Sequence, residues 1–268
     1  MPAATPLPKR SSRRALVPRE HGAYGQLALP LVSALALGRP TLASAALALA
    51  VVLVFVAHEP LLVSLGQRGT RTREFDGPRA RRLFFGLAAA ATFLAFFGIA
   101  RAPGSARVSL LVPAGLALIV AGLVATRREK TAAGEVTVAC TLASSSLAVA
   151  LCGGVPPGRA LAAVGVWIVS FVAATLAVRG LLKKARARGE RPGRTARLLA
   201  VALLVLFAGA MLAALGLPKA ADLALLPTPL LSAVVLVSDF SPKHLRTLGW
   251  AIVGAGLVTL LLLVATLR

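Results

Sequence analysis

Acidic side chains are few. Only 9 Asp and Glu stand against 30 Lys and Arg in 268 residues. No paired carboxylates at catalytic spacing and no HExxH, Walker or GxSxG pattern occur, which removes the common signatures of zinc peptidases, nucleotide hydrolases and serine hydrolases. Cysteine is nearly absent too. Cys140 and Cys152 lie twelve residues apart in one apolar segment, with neither metal-ligand spacing nor a mate for a disulfide, and read as small buried apolar residues. No connection is long enough to fold alone. A formal charge of +21 without a soluble domain to present it excludes nucleic acid as a partner. No pattern calls for a metal or other cofactor.

What is abundant is apolar sequence. Hydrophobic residues make up 57% of the chain and the mean hydropathy is +0.83, well above the usage of soluble domains. A spanning helix needs about 20 mostly apolar residues, and nine segments qualify: 22–38, 41–65, 83–100, 108–125, 132–152, 160–182, 196–217, 221–237 and 245–267. The first and eighth are short, and the fifth is relatively polar. The expected fold is therefore all-α, a polytopic transmembrane bundle of about nine spans in one domain, 21–268. Residues 1–20 read as a disordered basic cytoplasmic tail. They superficially resemble a targeting peptide, but the next apolar segment is not followed by a cleavage site and a soluble domain.

The distribution of charge tests that count. One alternate set of connections holds 24 of the 30 basic residues and the other set holds 6, as expected when cytoplasmic loops carry the excess. This places the N-terminus inside and the C-terminus outside a bacterial inner membrane. The expected partners are the bilayer and its anionic headgroups, which attract juxtamembrane basic clusters at about 1 kcal/mol per residue. The two longest and most basic connections follow the second and sixth segments. Either helices 1–4 and 5–8 are a distant internal repeat, or large cytoplasmic loops simply tolerate Arg.

The end of the second segment, VFVAHEPLLVSLGQRG, resists explanation by topology alone. Glu59 falls about 9 Å inside a helix ending near Leu65, where an ionised group costs a few kcal/mol unless paired or wet. His58 points about 100° away around the helix. Pro60 leaves a carbonyl one turn earlier without its donor, a place for a kink or a water-lined pocket. Two readings stay open here. One is a buried polar contact that fixes packing; the other is a binding or proton-transfer site with His58 or Glu59 as general acid or base.

Two further clusters belong with it. At the start of the first segment His21, Tyr24 and Gln26 alternate with small residues, as in a helix start that admits a ligand or another backbone closely; an interfacial anchor with Tyr in the aromatic belt is the alternative. At the end of the sixth, Arg179 and Lys183 share a helical face that could grip a phosphate or carboxylate, or could be a solvated helix end. One literal motif fails. Residues 76–81, DGPRAR, open like the signature of the CDP-alcohol phosphatidyltransferases, but Ala90, Leu94 and Gly98 stand where its later Gly and Asp residues would be needed.

Taken together, PREHGAYGQLALPL, HEPLLVSLGQRG, VRGLLKKARARGE and SPKHLRTLGW resemble the YwiC-like family of bacterial membrane proteins. The layout of nine segments with two dominant basic loops also looks like the UbiA-type intramembrane prenyltransferases. Those enzymes carry Asp-rich motifs where this chain has His58, Glu59 and Pro60, and again where it has Arg179 and Lys183. The resemblance thus implies the bundle without metal-dependent prenyl transfer, because one carboxylate cannot cage a divalent ion. The expectation is a cytoplasm-facing pocket, formed by His21, Tyr24, Gln26, His58, Glu59, Arg179 and Lys183, that binds an anionic or lipid-like small molecule. A small proton- or ion-coupled transporter with Glu59 as its ion site is the alternative, and a non-catalytic membrane accessory protein is a third.

Overall fold

The computed structural model describes residues 16–17, 21–186, 194–214, 216, 219–238 and 245–268, and they contain helices and no strand. In order these are α1 (His21–Leu37), α2 (Leu42–Ser64), α3 (Thr70–Arg101), α4 (Gly104–Ser109), α5 (Leu111–Ala125), α6 (Ala132–Cys152), α7 (Pro157–Arg186), α8 (Arg194–Ala214), a 3₁₀ turn (Lys219–Leu225), α9 (Pro227–Val237) and α10 (Leu245–Leu267). Seven helical stretches are long and apolar enough to cross a membrane, α4 and α5 counting together as one; α1 and α9 are shorter apolar helices. These fall on the nine segments expected from hydropathy, the short ones included.

Two boundaries differ from expectation. The basic stretch 66–82 is not a loop throughout, because α3 begins at Thr70 and carries its helix through Pro78. Arg, Glu and Ala there are good helix formers, and the carbonyl that Pro78 deprives of a donor belongs to the exposed Glu74, where water can satisfy it. The eighth segment is split instead of continuous. Pro227, fixed near helical φ, starts α9 at its first position and separates it from the 3₁₀ turn before it.

The two ends of the bundle are tied differently. At the weakly charged end the turn between α1 and α2 docks on the turn between α6 and α7: the Arg39 amide donates to the Gly153 carbonyl at 2.8 Å. A Cβ on Gly38 would lie 2.8 Å from that carbonyl oxygen, so only glycine allows the approach. Thr41 and Ser44 close a reciprocal capping box at the start of α2. The Thr41 hydroxyl also donates to the Cys152 carbonyl at 3.2 Å, joining that cap to the end of α6.

The core centres on α7. Trp167 is fully buried, stacks on Phe171 at 5.5 Å and donates its indole N–H to the Ser33 hydroxyl of α1 at 2.8 Å. Small residues bring the helices close, as at membrane helix contacts generally. A Cβ on Gly98 of α3 would meet Leu47 of α2 at 2.7 Å, and one on Gly256 of α10 would meet Leu29 of α1 at 2.6 Å. Phe85, Phe93 and Phe96 of α3 and Leu118 and Ile119 of α5 stay exposed. An outward apolar surface of this extent suits hydrocarbon, so the chain is a multi-pass membrane protein.

Candidate functional site at the basic end

The polar groups of the opposite, basic end converge on the last turns of α2. Glu59 is 2% exposed, and its carboxylate accepts from Arg68 through Nε at 3.1 Å to Oε1 and through a terminal nitrogen at 2.5 Å to Oε2. Such a charge inside a span needs a partner close enough to offset its desolvation. The chain supplies one by turning back. Gly66 and Gly69 adopt φ of +75° and +100°, in the region glycine enters without a steric cost. Between these residues Arg68 folds back onto the helix it has just left.

His58, next to Glu59 but on another side of α2, reaches a different element. Its Nε2 lies 3.7 Å from Oε2 of Glu129 in the connection between α5 and α6. The next residue of that connection, Lys130, accepts through its backbone carbonyl from Arg179 of α7, and the Nε of Arg179 donates to Glu135 of α6 at 2.7 Å. One short connection therefore holds α2 with a side chain and α7 with a carbonyl. Its own geometry is tight: Arg127 adopts φ +57°, Thr131 caps α6 through the Gly134 amide, and a Cβ on Gly134 would fall 2.5 Å from the Glu129 carbonyl oxygen. Gln67 adds a further tie by donating to the Val124 carbonyl at the end of α5.

The candidate residues thus divide. His58 and Arg179 both reach the α5–α6 connection or its flanking helix, while Glu59 pairs separately with Arg68. The Tyr24 ring meets Phe55 of α2 edge to face at 5.2 Å, about one turn along the helix from His58 and Glu59. Gln26 is half-buried on α1, about 200° around the helix from Tyr24. The side chains of His21 and Lys183 lie outside the described residues. Arg68, Glu129 and Glu135 complete these pairs without having been singled out as ligand-binding residues. The available signal was the pair of glycines flanking Arg68, since a Gly-x-x-Gly turn after a helix can return a side chain to that helix. Among the described residues no three His, Cys, Asp or Glu side chains gather as metal ligands.

Residues 17–152, just over half of the chain, match the family described as YwiC-like protein. The chain belongs to the YwiC-like family. The matched region runs from the start of α1 to the end of α6 and contains His58, Glu59, Arg68, Glu129 and Glu135, while Arg179 lies beyond it. No curated protein and no solved structure matched the chain.

Proposed function

We propose that this YwiC-like protein binds an anionic or lipid-like small molecule at its basic end, on the surface formed by His58, Arg68 and the α5–α6 connection. The observation that carries the reading is the order of burial in its pairs. In the first pair Glu59 is 2% exposed and Arg68 28%; in the second the Glu129 side chain is 15% exposed and His58 39%. In these two pairs on α2 the acceptors are turned in and the donors out, whereas at Arg179–Glu135 the carboxylate is the more exposed partner, 40% against 27%; at the α2 side an arriving molecule therefore meets N–H groups, the surface suited to an anion. The buried carboxylates hold those donors in place, as preorganised sites require. If the basic end faces the cytoplasm, as the charge bias argues, the molecule arrives from that side or from the inner leaflet.

The test is thermal stabilisation of the purified protein in detergent across a panel of anionic phospholipids and phosphorylated isoprenoids. At least one class should raise the melting temperature, and Arg68→Gln with His58→Ala should reduce the shift. A panel that shifts nothing, or shifts equal in wild type and variant, rules the reading out.

A further inference from the structure

Beside the buried pair the chain leaves a cleft that none of the pairs fills. Its volume is about 380 Å³, and Ser64 of α2 together with Thr70, Arg73, Glu74, Gly77, Pro78 and Arg81 of α3 form its wall. Arg73, Gly77 and Arg81 recur every fourth residue and so lie along one face of the helix. The stem of Arg73 is held across the preceding turn, where a Cβ on Gly66 would come within 3.1 Å of its Cδ. Among the described residues neither the Arg73 nor the Arg81 side chain has an ion pair or a hydrogen bond. Ser64 and Thr70 stand at the same wall, the Ser64 hydroxyl donating to the Pro60 carbonyl at 2.8 Å, and Glu74 is its single acid. Gly77 keeps the floor open. A Cβ there would meet nothing nearer than Arg73 Cγ at 3.7 Å, so a longer side chain would project into the free space.

The position of the cleft is as informative as its charge. Apolar sequence in α3 begins at Leu83. At 1.5 Å per residue Arg81 lies about 3 Å beyond that level and Arg73 about 15 Å beyond it, while the headgroup layer on each side of a bilayer is roughly 5–7 Å deep. The backbone of the cleft therefore runs from phosphate depth at Arg81 up into water at Arg73, so the space between the two side chains opens on both. Phe85 and Phe96, on the Pro78 side of α3, continue from the cleft into the apolar part as exposed rings that an acyl or prenyl chain could cover.

We infer that the α2–α3 cleft binds a phosphate ester, gripped between Arg73 and Arg81 with Thr70 as the hydroxyl partner. This rests on the proposal only in that the basic end takes an anionic molecule; the cleft is a second site, separate from His58, Arg68 and the α5–α6 connection. Two donor forks on one helical face suit the several oxygens of a phosphate. The ester belongs either to a lipid, with its chain along Phe85 and Phe96, or to a soluble molecule approaching the upper Arg.

The experiment uses the full chain purified in an uncharged detergent, with retention of phosphatidylglycerol, diacylglycerol and glycerol 3-phosphate measured separately. Arg73→Gln combined with Arg81→Gln should weaken binding of the phosphate compound by about tenfold or more, as expected for two lost charges near the surface. Arg71→Gln combined with Arg79→Gln, an equal charge change at two positions that do not line the cleft, should leave it within about twofold. Gly77→Asp, which adds a carboxylate to the floor, should match the first variant. Dependence of phosphatidylglycerol on the cleft assigns a lipid, and dependence of glycerol 3-phosphate assigns a soluble ester; either upholds the site. Binding that ignores all cleft substitutions but falls in Arg68→Gln overturns the cleft and keeps the broader reading. Failure of the wild type to bind either phosphate compound overturns the cleft, and the wider lipid panel then decides the broader reading.

Discussion

Arg68 closes on Glu59 from nine positions further along the chain, donating to both carboxylate oxygens at 3.1 and 2.5 Å. The pair joins a helix to the turn that leaves it, so it fixes the direction in which α3 departs from α2. Removing one partner is not equivalent to removing both.

Arg68→Ala removes the guanidinium fork from a carboxylate that is 2% exposed, which should destabilise the protein by up to about 3 kcal/mol. Glu59→Gln should cost less, because Arg68 is partly exposed and can turn to water. Combining Glu59→Leu with Arg68→Met should recover much of the loss, since apolar groups of similar volume often replace a buried pair without penalty. Melting temperatures in one detergent decide the matter. Equal losses in all three variants would show that the pair contributes shape and not charge.

The depth of Glu59 was readable from the sequence by counting back from the helix end, and so was its need for a partner. The identity of that partner was not. Arg68 sits in a run rich in Arg, and only the φ values of Gly66 and Gly69 select it. Helix number and span positions were legible because long apolar runs leave little choice in a bilayer. The first thirteen residues of α3 were not, since apolar sequence marks the span only from Leu83 onward, while a water-exposed helix end tolerates Gly77 and Pro78. Glu129 lies between Arg128 and Lys130, a local sequence that suggests only a neutralised basic run; its pairing with His58 depends on where the α5–α6 connection meets α2, which no local pattern reports.

Glycine substitutions should have opposite signs at two places. Gly38→Ala forces a methyl to within 2.8 Å of the Gly153 carbonyl oxygen, with a cost of about 1–3 kcal/mol from overpacking. Gly86→Ala meets nothing within 4 Å and replaces a poor helix former in mid-helix, for a gain of up to about 1 kcal/mol. Unfolding midpoints of the two variants should bracket the wild type. A destabilised Gly86→Ala would mean that another surface packs on that side of α3.

The Trp167–Ser33 bond ties α7 to α1 in the middle of the bundle. Ser33→Ala leaves a fully buried indole N–H without its acceptor and should cost about 1–2 kcal/mol. Trp250 is 67% exposed, so in a Trp250→Phe background all indole fluorescence reports on Trp167. The emission should change with Ser33→Ala, and an unchanged spectrum with unchanged stability would remove the bond from the core.

The concentration of basic residues in one set of connections proposes an orientation. With the basic end inside, a thiol introduced by Arg39→Cys should react with a membrane-impermeant maleimide in intact cells. One introduced by Arg128→Cys should react only after permeabilisation, both positions being exposed on the protein surface. The natural cysteines are half-buried Cys140 and buried Cys152, so labelling of the unsubstituted protein supplies the baseline. The reverse pattern would invert the bundle.

The α5–α6 connection should behave as one unit gripped from two sides. Arg179 uses Nε for Glu135 and a terminal nitrogen for the Lys130 carbonyl, a fork that a single ammonium cannot reproduce. Arg179→Lys should therefore release the connection although charge is kept. Amides of 126–131 should exchange hydrogen roughly tenfold faster, the scale of one lost charge-assisted bond. His58→Ala should act on the same amides from the other side by freeing Glu129. If both hold one element, the second substitution adds less than its separate effect once the first has opened the connection. Strictly additive rates would instead describe two independent contacts, and His58 would then lose its mechanical link to α7.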